Sequence, residues 1–256
     1  MQLEQTIRAE LARPGKDILL MTHIVLGYPS LAVNRQVIQQ MVANGVELIE
    51  MQIPFSEPMA DGPTIVRANQ EAIEAGTTVK ECLAFAAEMG REHDTTFLLM
   101  TYYNILYRYG VEAFFRKAKE IGIKGFIIPD LPPEEEEAFW KLAHHYEIAP
   151  ILIYTPTSTE QRMQELAASA EGFIYCAARK GVTGKQTDFD ASFADYMARC
   201  RRSTTLPLAV GFGISCREDI TFLTGRADIG VIGTATINLV DAQGPEAVGP
   251  FIAGLR

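Results

Sequence analysis

Eight short apolar segments recur along the chain, and helix-like sequence follows each of them. Most of these segments carry too few polar residues to face water on either side, which is typical of strands in a buried parallel sheet. Regular alternation of strand and helix indicates a parallel sheet, and eight such units in 256 residues fit a closed (β/α)8 TIM barrel. The predicted strands cover residues 18–26, 47–53, 97–101, 125–130, 149–154, 172–177, 206–211 and 228–232.

The helices and the domain count follow from the same pattern. A doubly wound open sheet is the alternative fold, but no GxGxxG motif follows the first predicted strand. Since no linker or low-complexity segment interrupts the chain, residues 1–256 are predicted to form one TIM-barrel domain. Helices are predicted at residues 3–11, 31–44, 63–75, 78–91, 111–121, from 134 onward, 158–168, 191–201 and 245–252, the first preceding strand one.

Composition excludes several classes of protein. The net charge of −9 argues against a nucleic-acid groove or a membrane-binding face. No segment approaches the roughly 18 apolar residues of a membrane span, and the first residues lack a signal-peptide pattern, so a cytoplasmic protein is expected. The four cysteines and four histidines show no metal-binding spacing, which predicts reduced thiols and no metal site.

A carboxylate lies on the second predicted strand. Side chains alternate along a strand, so Glu50 shares the face of Leu48, and its burial would cost several kcal/mol unless it is paired or protonated. This makes Glu50 a candidate functional group, with an internal ion pair as the alternative. Asp61 follows eleven residues later, across a loop stiffened by Pro54 and Pro58. Its alternative role is to cap the helix that begins near residue 63.

Further polar and aromatic residues cluster at strand ends. In a TIM barrel the active site lies at the C-terminal ends of the strands, and core packing does not require such residues there. The residues at these positions are Glu50, Asp61, Tyr102, Asn104, Asp130, Tyr175, Thr183, Phe212 and Thr234.

Glycine-rich turns follow three of the strands. Gly213 and Gly233 lie after strands seven and eight, where this fold commonly binds phosphate with backbone N–H groups; simple tight turns are the alternative. Gly181 and Gly184 flank Thr183 in the loop after strand six, which suggests a mobile lid or a merely long surface loop.

Several of these segments together resemble the tryptophan synthase alpha chain family, and the resemblance covers nearly the whole chain. Residues 127–132, 179–184 and 210–215 match that family in order and spacing. The most specific motif is Leu48-Ile49-Glu50, continued by Ile53-Pro54-Phe55-Ser56 and by Ala60-Asp61-Gly62-Pro63.

The resemblance implies a lyase of L-tryptophan biosynthesis that splits indole-3-glycerol phosphate into indole and glyceraldehyde 3-phosphate by acid/base retro-aldol chemistry. By matching motif, Glu50 is the acid/base on the ring carbon and the glycerol hydroxyl, and Asp61 accepts the indole N–H. The other implied contacts are Tyr102, Tyr175, Thr183 and Phe212 with the substrate, and Gly184, Gly213, Gly233 and Thr234 with its phosphate.

The resemblance also implies a partner. The family works as an alpha-beta-beta-alpha heterotetramer, in which the beta chain holds pyridoxal phosphate and receives indole, whereas the alpha chain has no cofactor. This chain departs from the usual family residues at His23, Tyr28, Gln52, Glu57 and Ile105. Two alternatives stay open: a stand-alone relative that releases indole, and a non-catalytic barrel that activates a beta chain.

Overall fold

The computed structural model of the protein describes residues 2–177, 191–211 and 213–256, and the strands in these ranges form a closed parallel barrel. Each strand pairs with the next, and the last pairs with the first, so the predicted fold class is confirmed. The strands are β1 (Leu19–Val25), β2 (Leu48–Gln52), β3 (Thr96–Met100), β4 (Gly125–Ile127), β5 (Ala149–Tyr154), β6 (Ile174–Ala177), β7 (Leu208–Gly211) and β8 (Ile229–Ile232).

Helices surround the barrel. Side-chain caps start two of them as the sequence suggests: Ser30 accepts from the Val33 amide, and Thr78 forms a capping box with Glu81. The helices are α1 (Gln2–Leu11), α2 (Leu31–Ala43), α3 (Pro63–Glu74), α4 (Val79–Glu92), α5 (Tyr103–Tyr109), α6 (Val111–Glu120), α7 (Glu137–Tyr146), α8 (Glu160–Ser169), α9 (Ala191–Ser203), α10 (Arg217–Leu223), α11 (Thr234–Gln243) and α12 (Val248–Leu255).

The predicted helix pattern is wrong at three places. Helices α5 and α11 were not predicted, and α7 begins at Glu137 rather than at Glu134. Helix α5 is only seven residues long and aromatic, whereas α11 carries β-branched residues that lower intrinsic helix propensity. Before α7, Glu136 adopts a left-handed conformation with φ of 48°, which ends the preceding turn and delays the helix.

Alternation along the strands divides the core into two layers. Leu48 belongs to the cluster inside the barrel, together with Leu19 and Met21 of β1, whereas Ile49 and Met51 pack between barrel and helices. The same alternation carries His23 and Glu50 inward at the C-terminal ends of β1 and β2. Among the described residues, His23 and Glu50 thus lie above the apolar layers of the barrel interior.

Helix α1 closes the opposite end of the barrel. Its buried residues Leu3 and Ile7 join the interior cluster. The Leu3 side chain fits against Gly125 and Gly172, where an added Cβ atom would lie 3.2 and 2.7 Å from Leu3 Cδ2. Helix α1 therefore plugs the N-terminal mouth of the barrel.

No helix within the described ranges has both the length and the apolar character that crossing a membrane requires.

Candidate active site

A cavity of about 330 Å³ opens at the C-terminal end of the barrel. Apolar side chains from β3, β4, β5 and β8, among them Met100, Ile127 and Ile153, line part of its wall. Its polar residues include both predicted catalytic carboxylates, Glu50 and Asp61. A volume of this size with a few convergent polar groups is typical of a small-molecule site.

Glu50 lies beside a histidine that sequence reasoning assigned no role. Glu50 and His23 are register partners on β2 and β1, and the distance from His23 Nδ1 to Glu50 Oε2 is 3.4 Å. Both side chains are buried, with 4% and 7% of their surface exposed. The distance fits an ion pair, although Glu50 Oε2 has no well-aligned hydrogen bond within the described ranges.

The surroundings of His23 shift the pKa of its imidazole. Burial disfavours the charged imidazolium, but the Glu50 carboxylate and, to a smaller extent, Asp61 outweigh it and raise the pKa of His23. A purely structural ion pair, the alternative role considered for Glu50, would make the same contact. Glu50 nevertheless lines the cavity, as a group that acts on a substrate must.

Asp61 is held by two donors on one oxygen. Gln52 Nε2 donates to Asp61 Oδ2 at 2.7 Å, and the Tyr102 hydroxyl donates to the same atom at 3.1 Å. Burial raises the pKa of Asp61, and the His23 charge and these two hydrogen bonds oppose that rise. The N-cap of α3 is Gly62, without a side-chain hydrogen bond, so the capping role considered for Asp61 is wrong.

The two tyrosines of the predicted site lie at different depths. Tyr102 is fully buried behind Asp61, where its oxygen also accepts from the Ala60 amide at 3.1 Å and its ring stacks on Phe55. It therefore positions Asp61 and does not line the cavity in the described ranges, and its direct contact with a substrate stays a prediction. Tyr175 lines the cavity, and a Cβ atom at Gly211 would come within 2.3 Å of its hydroxyl. Only glycine at residue 211 leaves room for that ring.

The glycine turns after β7 and β8 meet at the same cavity. Gly213, with φ of 95°, lines it together with Gly233 and Thr234. Gly233 is the N-cap of α11 and offers no side-chain cap, so the first turn of that helix faces the cavity with backbone donors. After β7, the Asp219 carboxylate accepts hydrogen bonds from the backbone N–H groups of Ser215 and Cys216. The N–H groups of Gly213 and Ile214 are then the ones through which this turn could bind a ligand.

Three predicted site residues, Thr183, Gly184 and Phe212, lie outside the described residues, as does the predicted lid around Thr183. Two further strand-end residues do not line the cavity. Both carboxylate oxygens of Asp130 accept from the Tyr103 amide at 2.9 and 3.1 Å, which anchors the start of α5. Asn104 is exposed on that helix.

Sequence reasoning missed two residues that contact the carboxylates of Glu50 and Asp61. His23 and Gln52 were noted only as departures from the usual family residues. A signal for His23 was present, since it continues the inward-facing series Leu19 and Met21 toward the C-terminal end of β1. Gln52 follows Glu50 by two residues and so shares its face of β2.

Another departure, Tyr28, ties neighbouring helices together beside the site. Its hydroxyl donates to Asp241 Oδ1 at 2.9 Å and accepts from Arg67, which also pairs with Asp241. This network joins the loop after β1 to α3 and α11. Tyr28 therefore has a structural role next to the cavity.

As for metals, no cluster of three or more candidate ligands occurs in the described ranges.

Comparison with known proteins agrees with this geometry. The family model for the tryptophan synthase alpha chain matches residues 10–248. The tryptophan synthase alpha chains of Desulfotalea psychrophila and Syntrophotalea carbinolica are 61% and 54% identical to this chain. These alignments cover 100% of this chain and 100% of the first relative, and 99% of this chain and 100% of the second.

Solved structures lead to the same family. A chain of Mycobacterium tuberculosis tryptophan synthase superposes with a TM-score of 0.91 and 27% identity, over 99% of this chain and 96% of that one. A chain of the Pyrococcus furiosus tryptophan synthase complex gives a TM-score of 0.86 and 27% identity, over 94% and 98%. With the family model matching more than half of its length, this chain belongs to the tryptophan synthase alpha chain family.

Proposed function

We propose that Glu50 and Asp61 together perform the lyase reaction of the alpha chain family, in which indole-3-glycerol phosphate is split into indole and glyceraldehyde 3-phosphate. The observation that carries this proposal is the presence of two buried carboxylates in one cavity at the C-terminal end of the barrel. The apolar wall formed by Met100, Ile127 and Ile153 suits an indole ring, and the glycine turns suit a phosphate.

Glu50 moves one proton in this proposal. It takes the proton from the glycerol hydroxyl next to the ring, and the same proton is delivered to the ring carbon that loses its bond to the glycerol chain. The hydroxyl carbon becomes the aldehyde, the electron pair of the broken bond returns to the ring, and Glu50 ends as it began. General acid–base catalysis of this kind contributes about 10²–10⁴-fold to a rate.

Asp61 stabilises charge. Protonation of the ring carbon leaves positive charge on the indole nitrogen, and a fixed anion at the N–H lowers the energy of that state. Gln52 and Tyr102 hold Asp61 Oδ2, and within the described ranges no donor binds its Oδ1. One oxygen is thus anchored, while the other is left to accept from the substrate.

The direct test is an assay of the purified chain with indole-3-glycerol phosphate, in which released indole is measured with and without a beta chain. We expect slow release by the chain alone and faster release with the beta chain. Equal, fast release in both samples would identify a stand-alone indole-forming enzyme. No release in either sample would leave a non-catalytic barrel and contradict the proposal.

The phosphate site is tested with Gly213→Ala. A residue with a Cβ atom is strained at φ of 95°, and the new methyl group crowds the backbone approach to the phosphate. We expect affinity for glycerol phosphate to fall by about tenfold or more, as for the loss of one charge-assisted hydrogen bond. Isothermal titration calorimetry measures this directly.

Gly225→Ala is the matched control for the phosphate site. Gly225 also has a left-handed φ, of 78°, but no atom lies within 4 Å of its added Cβ and it does not line the cavity. Both variants carry similar backbone strain, so only a specific phosphate contact separates their affinities. Equal affinities would remove Gly213 from the site.

The partner is proposed to be a beta chain that carries pyridoxal phosphate and receives the indole, whereas this chain needs no cofactor for the proton transfers proposed above. Two exposed apolar side chains support a docking face beside the cavity mouth. Met59, in the loop after β2, is 74% exposed, and Tyr107 on α5 is 66% exposed. Both residues lie in segments that follow the C-terminal ends of strands, where the cavity opens, so they are candidate contacts for a partner at that end of the barrel.

Met59→Glu tests this docking face. A charge placed in a desolvated contact is unfavourable, so activation by the beta chain should require about tenfold or more beta chain than for the unmodified protein. Glu57→Ala, in the same loop, should also reduce activation more than it reduces basal cleavage. Arg13→Gln, at the plugged end of the barrel, is the control and should leave activation unchanged. An unaltered beta-chain titration for Met59→Glu would place docking elsewhere.

A further inference from the structure

His23 is a buried ionisable side chain that the proposed reaction does not use. It lies on β1 directly across from Glu50, and its position is determined by strand register rather than by a movable loop. The first carbon of its side chain packs against Gly233, which follows β8: a Cβ atom added at Gly233 would lie 3.4 Å from His23 Cβ. The imidazole therefore has a fixed place in the cavity wall.

The charges around His23 are all negative or neutral in the described ranges. Glu50 on β2 contacts its Nδ1 atom, and Asp61 in the loop after β2 adds a second carboxylate. Gln52 brings an uncharged amide from the same strand, and Gly233 and Thr234 on the β8 side bring no charge. Burial raises the pKa of Tyr175 on β6, and both carboxylates raise it further. A positive charge at His23 would be the counter-charge of this group.

Three buried polar atoms in this group lack a hydrogen-bond partner within the described ranges: His23 Nε2, Glu50 Oε2 and Gln52 Oε1. Unsatisfied buried polar atoms are rare and unfavourable, and in proteins they concentrate where a function requires them. A proton on Nδ1 points a donor at the Glu50 carboxylate, 3.4 Å away, and a second proton on Nε2 gives the ring the positive charge that the carboxylates of Glu50 and Asp61 favour.

On the basis of the proposed function, we infer that His23 is a positioning residue that carries a proton in the resting enzyme and keeps Glu50 as an oriented carboxylate. Glu50 can then accept the hydroxyl proton of the substrate as soon as the substrate binds. Because Glu50 passes that same proton on to the ring carbon, His23 retains its own proton through the cycle. The charge of the pair returns to its starting value after each turnover.

Histidine NMR tests the protonation state without reference to activity. Imidazole ¹⁵N resonances distinguish the imidazolium from neutral histidine, and the His23→Phe variant identifies the His23 signals among the four histidines. We expect the His23 imidazole in the unmodified protein to titrate above the ordinary histidine pKa of about 6.5. In Glu50→Gln, burial is opposed by less negative charge, so the midpoint of the His23 titration should fall by about one pH unit or more. A His23 titration midpoint at or below the ordinary histidine pKa of about 6.5 in the unmodified protein would overturn the inference.

The pH dependence of kcat/KM tests the consequence for catalysis. His23→Phe keeps the bulk of the ring, and His23→Gln keeps a neutral donor, but both remove the positive charge. In both variants we expect the acid-side fall of kcat/KM to move upward by about one pH unit or more, because the positive charge that opposes the negative charge of this group is gone. His145→Gln, on the exposed face of α7, is the control and should leave the profile in place.

The outcomes separate this inference from the function on which it rests. An acid limb that does not move in either His23 variant, with melting temperatures near that of the unmodified protein, would show that His23 only fills space. If the unmodified protein released no indole, the proposed function would fail, while the NMR titration would still decide the charge state of His23.

Discussion

Glu50→Gln is expected to reduce the rate of indole release by about 10²–10⁴-fold, the loss typical of removing a general acid or base. Glutamine has nearly the same size as glutamate but cannot take up the hydroxyl proton. The variant should therefore keep its fold and its affinity for glycerol phosphate. Turnover per folded molecule and the melting temperature, measured on one preparation, check both parts of this prediction.

Glu47→Gln is the matched control, because Glu47 precedes β2 and is a structural ion-pair member. Its carboxylate accepts from the Leu20 amide at 2.9 Å and pairs with Lys16 and with Arg256. Its side chain is only 7% exposed, so weakening these contacts should lower stability by about 1–3 kcal/mol. We expect a lower melting temperature and unchanged turnover. If Glu50→Gln behaved like Glu47→Gln, Glu50 would be structural and the proposed mechanism would be wrong.

Asp61→Asn is expected to reduce the cleavage rate by about 10²–10³-fold and to raise the melting temperature. The rate falls because a neutral amide stabilises the developing charge on the indole nitrogen poorly. The stability rises because asparagine removes a buried charge while its carbonyl oxygen can still accept from Gln52 and Tyr102. A gain of about 1 kcal/mol corresponds to a rise of about 2–4 °C in Tm for a chain of this size.

The stability gain should depend on pH, with a sign set by the raised pKa of Asp61, which burial causes. Below the pKa of the unfolded chain, Asp61 is protonated in both states and contributes no penalty. As the pH rises from about 4 toward the higher folded pKa, the unfolded state loses its proton first and the native state is destabilised. The Tm advantage of Asp61→Asn should therefore be small near pH 4.5 and largest near neutrality.

Glu57→Gln is the control for this stability effect, since Glu57 is an exposed carboxylate in the same loop. Its Tm should match that of the unmodified protein at each pH. A Tm difference for Asp61→Asn that stays constant from pH 4.5 to 8, or a loss of stability at pH 7, would contradict the assignment of a raised pKa to Asp61.

The fold could be predicted from sequence because barrel strands are buried on both faces. Runs such as the one that forms β5 are apolar throughout, and their alternation with helices leaves few topologies. Helix α11 escaped prediction because Thr234, Thr236 and Ile237 do not favour helices by themselves. Burial of Thr236 and Ile237 against the barrel stabilises the helix that their weak intrinsic propensity alone would not form.

The site could be predicted only in part, because its two carboxylates lie in a recognisable sequence motif whereas the residues that contact them do not. Glu50 and Asp61 lie in a family-specific motif, and their position near a strand end carries a chemical meaning. The contacts of His23 with Glu50 and of Gln52 with Asp61 depend on strand register and on the path of the loop after β2. Such tertiary pairings have no local pattern. The burial that orders Tyr102 behind Asp61 likewise emerges only when the barrel closes.

Closure of the barrel also constrains the order of synthesis and folding. The pairing of β1 with β8 joins strands whose nearest ends, Val25 and Ile229, are separated by most of the chain. At the usual rate of translation, the ribosome needs on the order of 10–40 s to make the intervening residues. During that time β1 has an unpaired edge open to other chains, the hazard that the finished barrel abolishes. A ribosome-bound chain arrested before β8 should therefore bind holdase chaperones, and one arrested far enough after β8 for it to leave the exit tunnel should not.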